Sequence, residues 1–110
     1  MKLIYIAGAY RADTENGVFE NIMKARSVAV KIARLNKDVF AVVPHLNTMF
    51  FGGVREDDYW FAGDKEMLSR CDAILLMDGW AKSSGAVAER ELARELKLEV
   101  LTEDWLTRKI

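Results

Sequence analysis

The chain has 110 residues, enough for one domain that buries about two-thirds of its unfolded surface and too few for two. Its 51% hydrophobic and 30% charged residues are those of a soluble globular protein, and 16 Lys+Arg against 17 Asp+Glu leave a net charge of −1, which excludes a global field for nucleic acid polymers or anionic membranes. A lone cysteine, Cys71, excludes an internal disulfide framework and the cysteine-rich zinc patterns. The longest early apolar run, Leu3–Ala7, is too short for a signal-peptide core or a membrane span. These features predict a single cytoplasmic domain over residues 1–110.

In chain order, Leu3–Ala7 is a continuous apolar run ending at Gly8, the form of a strand covered on both faces. From Val18 to Leu35, Val18, Ile22, Ala25, Ala29 and Ile32 recur at helical spacing, with charges off the stripe. Val39–Val43 reads as a second buried strand, stopped by Pro44. His45 to Tyr59 lacks a clean period and contains Gly52-Gly53, which predicts a long loop. Trp60–Arg70 follows as a short helix and Ala73–Met77 as a third strand. Ser84–Lys97 is a helix introduced by Ser83-Ser84, both good N-cap residues. Leu98–Leu101 is a short fourth strand, and Glu103–Lys109 a terminal helical turn or two.

Strand–helix alternation predicts an α/β fold: a small doubly wound, flavodoxin- or Rossmann-like parallel sheet of order 2-1-3-4 with helices on both faces. Ligands of such sheets bind beyond the carboxyl ends of the strands, where the winding direction switches. That singles out Gly8–Asp13, Pro44–Asn47 and Asp78–Glu89.

The first of these turns has one glycine and matches neither G-x-G-x-x-G nor a Walker A sequence. Gly8 either lets the backbone turn or admits a ligand close to it; Arg11 is either a solvated charge or an anion clasp. On a helix from Ser84, Gly85, Glu89, Leu92, Ala93 and Leu96 share one face, so Glu89 places a carboxylate on the side that packs inward. Burying that charge is costly without a partner or a ligand cleft. The alternatives are a site role or pairing with an arginine at the rim. Asp64 lies near the start of its helix, where carboxylates serve as caps. Asp72 and Cys71 read as structural. His45 follows Pro44 at a strand end, as a substrate contact or an ordinary loop residue, and with no ligands at metal spacing it gives no metal site. Tyr5, inside a buried strand, needs a partner for its hydroxyl.

The chain resembles the nucleoside 2-deoxyribosyltransferase-like proteins, which include deoxynucleoside 5′-monophosphate N-glycosidases and small phage and bacterial relatives. The resemblance rests on Ile4-Tyr5-Ile6-Ala7-Gly8, on Asp64-x7-Asp72-Ala73-Ile74, and on Gly79-Trp80-x2-Ser83-Ser84-Gly85-x3-Glu89-x3-Ala93, which fall in the family's order and cover most of the chain. It implies that Glu89 is the nucleophile attacking the anomeric carbon of deoxyribose and that Tyr5 orients it. Asp64 would contact the departing base or sugar and handle its proton. Ser83 or Ser84 would bind a 5′-phosphate beside the helix N-terminus, with Gly85, and Arg11 would contact the same group.

The implied activity is cleavage of the N-glycosidic bond of a 2′-deoxynucleoside or its 5′-monophosphate, by hydrolysis or by transfer to another base. No metal or organic cofactor is implied. Transferases of this family often carry an acidic residue where this chain has Ser83-Ser84, which points toward a phosphorylated substrate. Family members are generally longer, and in some the tail supplies site residues to a neighbouring subunit, so a homo-oligomer is expected. Phe50-Phe51 and Trp80 are candidates for that interface. Two other functional classes stay open: a nucleotide-binding module without turnover, and a structural subunit whose long loop and aromatic residues serve assembly.

Overall fold

A computed structural model describes residues 1–109. Four strands, β1 (Lys2–Ala7), β2 (Val39–Val42), β3 (Ala73–Leu76) and β4 (Glu99–Thr102), form one parallel sheet of order β2-β1-β3-β4, as the alternation of runs predicts. β1 and β3 are central, and Ile4 to Ala7 are fully buried. Val39–Val42 is an edge strand, not a fully covered one: Phe40 is 59% exposed because β1 is its only neighbour.

Among the described residues, five α-helices and a short 3-10 turn (Trp80–Lys82) complete the fold: α1 (Glu15–Ala33), α2 (Pro44–Asn47), α3 (Asp57–Ser69), α4 (Ser84–Glu95) and α5 (Glu103–Lys109). Successive residues of β1 point to opposite faces. Ile4 and Ile6 pack with Ala25, Val28 and Ile32 of α1 and Leu106 of α5. Tyr5 and Ala7 pack with Leu68 of α3 and Ala86 and Ala93 of α4. The two helical layers therefore lie on opposite faces, and the chain leaves β1 toward one edge and β3 toward the other. The switch point is the gap beyond Ala7 and Leu76.

Several boundaries differ from the sequence reading. α1 starts at Glu15 because Thr14 caps it, its hydroxyl accepting from Gly17 N at 3.0 Å. The expected loop from His45 to Tyr59 is partly helical. Pro44, whose fixed φ suits the first helical position, opens the single turn of α2. α3 begins at Asp57, with Asp57 and Asp58 favoured by the helix dipole in its first turn. α4 ends at Glu95, and Lys97 then takes a left-handed φ of 59° as the chain turns into β4. Leu96, expected on the inner face, is consequently 43% exposed. Among the described residues, no helix is long and apolar enough to cross a membrane.

Candidate active site

Glu89 stands between Ala86 and Ala93 on the side of α4 facing the sheet. Those two small residues let the helix lie close, so the carboxylate reaches the Tyr5 phenol, which donates a hydrogen bond to Glu89 Oε2. Burial raises the Glu89 carboxyl to about 7; the Tyr5 hydrogen bond opposes that, the Asp64 charge adds to it, and the Lys65 ammonium opposes it. Burial first, and then the charge of Glu89, hold the Tyr5 phenol far above its ordinary value, so it stays protonated and acts as a donor. No ion pair among the described residues includes Glu89. Arg90, the arginine beside it in sequence, turns away to Glu91 at 2.9 Å and lies over the Trp80 ring. The rim-arginine alternative therefore does not hold.

Asp64 is not at a helix start. It lies in the middle of α3, one turn before the buried Leu68, so it faces the sheet and is no cap. Burial alone lifts its carboxyl to about 6. Tyr5, Asp64 and Glu89 thus come together from three elements: two carboxyl groups in a poorly solvated place, with a fixed phenol between sheet and helix. Strongly perturbed groups collected at a switch point mark a candidate site.

The other expected residues surround this centre in different ways. Gly8 has ordinary negative φ, and a Cβ there would lie 2.7 Å from Met77 Sδ and 3.0 Å from Met77 Cβ. The close packing of the β1 and β3 ends is reason enough for its missing side chain. Arg11 is exposed, paired with Asp57 at 2.6 Å and set over the Phe61 ring. His45 is neither a loop residue nor open to a ligand: it sits in α2, only 5% exposed, with Nε2 3.1 Å from the Ala9 carbonyl and Nδ1 unpartnered. Burial lowers its basicity and keeps the ring neutral. Ser83 is the N-cap of α4, its hydroxyl accepting from Ala86 N at 3.2 Å. Ser84 is exposed beside it. Gly85 has open space where a Cβ would stand, with only Ser83 Oγ as near as 4.0 Å.

Asn21 was not singled out in the sequence. Its Nδ2 donates to the carbonyls of Tyr10 and Arg11 at 3.1 and 3.2 Å and so ties α1 to the turn after β1. A polar residue at helical spacing from Val18 and Ala25 is the signal that points to it. Among the described residues, no three His, Cys, Asp or Glu side chains gather to hold a metal ion. A hollow of about 390 Å³ lies along the edge strand between Phe40, Leu46 and Met67, and another of about 190 Å³ lies beside Trp105. Neither is lined by Tyr5, Asp64 or Glu89; their burial comes from the packing of α3 and α4 on the sheet.

No functionally curated protein matches the sequence. Among solved structures, the chain is similar to a 2-desoxiribosyltransferase from Leishmania mexicana, with a TM-score of 0.59 and 24% identity over 93% of this chain. At that identity the likeness establishes a common fold. The chain spans 63% of that enzyme's length. The profile of the family described as a domain of unknown function (DUF4406) matches residues 2–102, from the first strand through the last and including the whole Tyr5–Asp64–Glu89 constellation. The chain belongs to the DUF4406 family.

Proposed function

We propose that the protein cleaves the N-glycosidic bond of a 2′-deoxynucleoside or, preferentially, its 5′-monophosphate, through a covalent intermediate on Glu89. The observation that carries this reading is a half-buried carboxylate in no ion pair among the described residues, held by a phenol donor and near enough to Asp64 to feel its charge. A carboxylate so placed can stabilise and capture an oxocarbenium-like centre. Glu89 attacks the anomeric carbon as the carbon–nitrogen bond breaks, and the bonding electron pair leaves with the base. Asp64 delivers the proton the base requires. Water then attacks the same carbon, freeing Glu89 and returning a proton to Asp64; a second base in place of water gives transfer. Two displacements retain the configuration.

The protonation states favour a narrow working range. With the Glu89 carboxyl raised to about 7 and Asp64 to about 6, the two titrate as a coupled pair that holds a single proton over part of the range near neutrality. The reactive form has it on Asp64 and leaves Glu89 ionised. The Tyr5 hydrogen bond favours the ionised Glu89 and so favours that form. Ser83 and Ser84 hydroxyls, the N–H groups opening α4 and the room beside Gly85 suit a 5′-phosphate, with Arg11 exchanging its exposed partner Asp57 for it.

Self-association belongs to the same reading. Phe50, Phe51, Tyr59 and Phe61 are exposed around the start of α3, and a homodimer covering them excludes water from the neighbouring site. Sedimentation equilibrium tests this, and a monomer at micromolar concentration refutes it. The activity is tested by incubating the protein with deoxynucleosides and their monophosphates and measuring free base. Release that vanishes in Glu89→Gln is expected; nucleotide binding with no release makes the protein a binding module instead.

A further inference from the structure

We propose that Asn21 and His45 are positioning residues: they aim the free backbone N–H groups of the turn after β1 at the anionic group of the substrate. This rests on the nucleotide reading above. The carbonyls of three consecutive residues in that turn are held from behind. His45 Nε2 holds Ala9 at 3.1 Å, and the single amide nitrogen of Asn21 spans Tyr10 and Arg11 at 3.1 and 3.2 Å. No peptide bond among the described residues is cis, and in a trans peptide the carbonyl of one residue points opposite to the N–H of the next.

The N–H groups of Tyr10, Arg11 and Ala12 therefore point away from α2 and α1. None of the three donates a hydrogen bond among the described residues. β2 and β3 flank β1 on opposite sides, and α1 and α4 pack on opposite faces. Away from α1 and α2 is thus toward the end of β3 and the start of α4, where Ser83, Ser84 and Gly85 stand.

His45 supports the assignment independently. An imidazole only 5% exposed with Nδ1 unpartnered is an expensive way to fill space. Its polar contacts are with the backbone of that turn, the Ala9 carbonyl at 3.1 Å and the backbone of Gly8 beside it, so the service it renders is to that turn. The ring is neutral, and Nε2 carries the proton.

The experiment uses Glu89→Gln, which binds without turnover, titrated with a deoxynucleoside 5′-monophosphate and followed by amide NMR and calorimetry. The Tyr10, Arg11 and Ala12 amides should shift strongly. Adding Asn21→Ala or His45→Asn should weaken binding about tenfold or more. His45→Gln, whose amide nitrogen reaches the former Nε2 position, should restore it. In the active protein the same changes should raise KM about tenfold and leave kcat unchanged. Unmoved amides in the presence of bound nucleotide, folded variants that bind like the parent, or no nucleotide binding at all would each overturn the proposal. Failure of the glycosidase reading looks different: wild-type protein that releases no base while the amide shifts and affinity losses persist. The amide titration needs no change in the turn, so it decides even if a turn variant does not fold.

Discussion

The two ends of this sheet treat charge in opposite ways. At the amino end, the Asp72 carboxylate accepts from Leu3 N at 2.8 Å and Lys2 meets Glu99 at 2.5 Å, so charged groups are exposed and matched with partners. At the carboxyl end, Glu89 and Asp64 are drawn from water with no cation in contact, and His45 keeps an unpartnered nitrogen. Charge that is left uncompensated where compensation was available at the other end of the same strands is tolerated for something other than stability. The difference supports the proposed site without reference to any relative.

The sharpest way to break this contrast is Glu89→Gln. It keeps an acceptor for Tyr5 and removes the nucleophile, so turnover should fall by about 10³-fold or more, about 4 kcal/mol of barrier. Stability should move the other way. The Glu89 carboxyl lies at about 7 in the folded protein against 4.5 ordinarily, so its ionisation opposes folding. Below about pH 4.5 both states are protonated and the substitution gains nothing. The gain grows as pH rises and is complete above about pH 7, at most about 3 kcal/mol. Melting curves at pH 5 and pH 8 check it; an equal Tm change at both would show that burial does not set the Glu89 charge.

Tyr5→Phe comes next. It removes the hydrogen bond that favours the ionised carboxylate, a charged bond worth about 1.5–3 kcal/mol, so kcat/KM should fall roughly tenfold to a hundredfold. The wild-type profile of kcat/KM should be bell-shaped, with limbs near the values of about 6 and about 7 for the coupled pair. In Tyr5→Phe the Glu89 carboxyl titrates higher, so the alkaline limb should move to higher pH. A profile that keeps both limbs while losing rate would mean that Tyr5 only packs.

How much of this was legible in the sequence follows from range of interaction. Leu3–Ala7 and Ala73–Met77 are apolar without interruption because both faces of a central strand are covered, while the sheet order followed from the strand–helix alternation, since the equally apolar Val39–Val42 lies at an edge. Glu89 was legible because a charge on an inward helical face is a local anomaly. α2 and the first turn of α3 were not: one turn opened by Pro44 has no period to read, and Asp57-Asp58 is stabilised by the helix dipole rather than by an apolar stripe. The packing reason for Gly8 was not legible, because its neighbour Met77 is distant in sequence and meets it only when β1 and β3 pair. His45 and Asn21 act on carbonyls of a turn whose path the sequence does not state.

Changes at the amino end should cost stability and nothing else. Asp72→Ala loses an acceptor for Leu3 N and should destabilise by about 1 kcal/mol, measured by urea unfolding, with kcat and the pH profile unchanged.

Lys2→Ala should do least. The Lys2–Glu99 pair joins the starts of β1 and β4, but its side chains are 42% and 48% exposed, so water and salt screen it and holding two long side chains costs entropy. The expected loss is under about 0.5–1 kcal/mol at low salt and smaller still in 1 M sodium chloride. Its value is as a control on the Tyr5 result, because Lys2 and Tyr5 share one strand. If Lys2→Ala left stability alone yet moved the limbs of the rate profile, charge would be felt along the whole strand. The carboxyl end would then owe its raised values to the field of the protein rather than to local burial. An unmoved profile, with Tyr5→Phe shifting the alkaline limb, confines the cause to the few side chains packed between α3, α4 and the sheet.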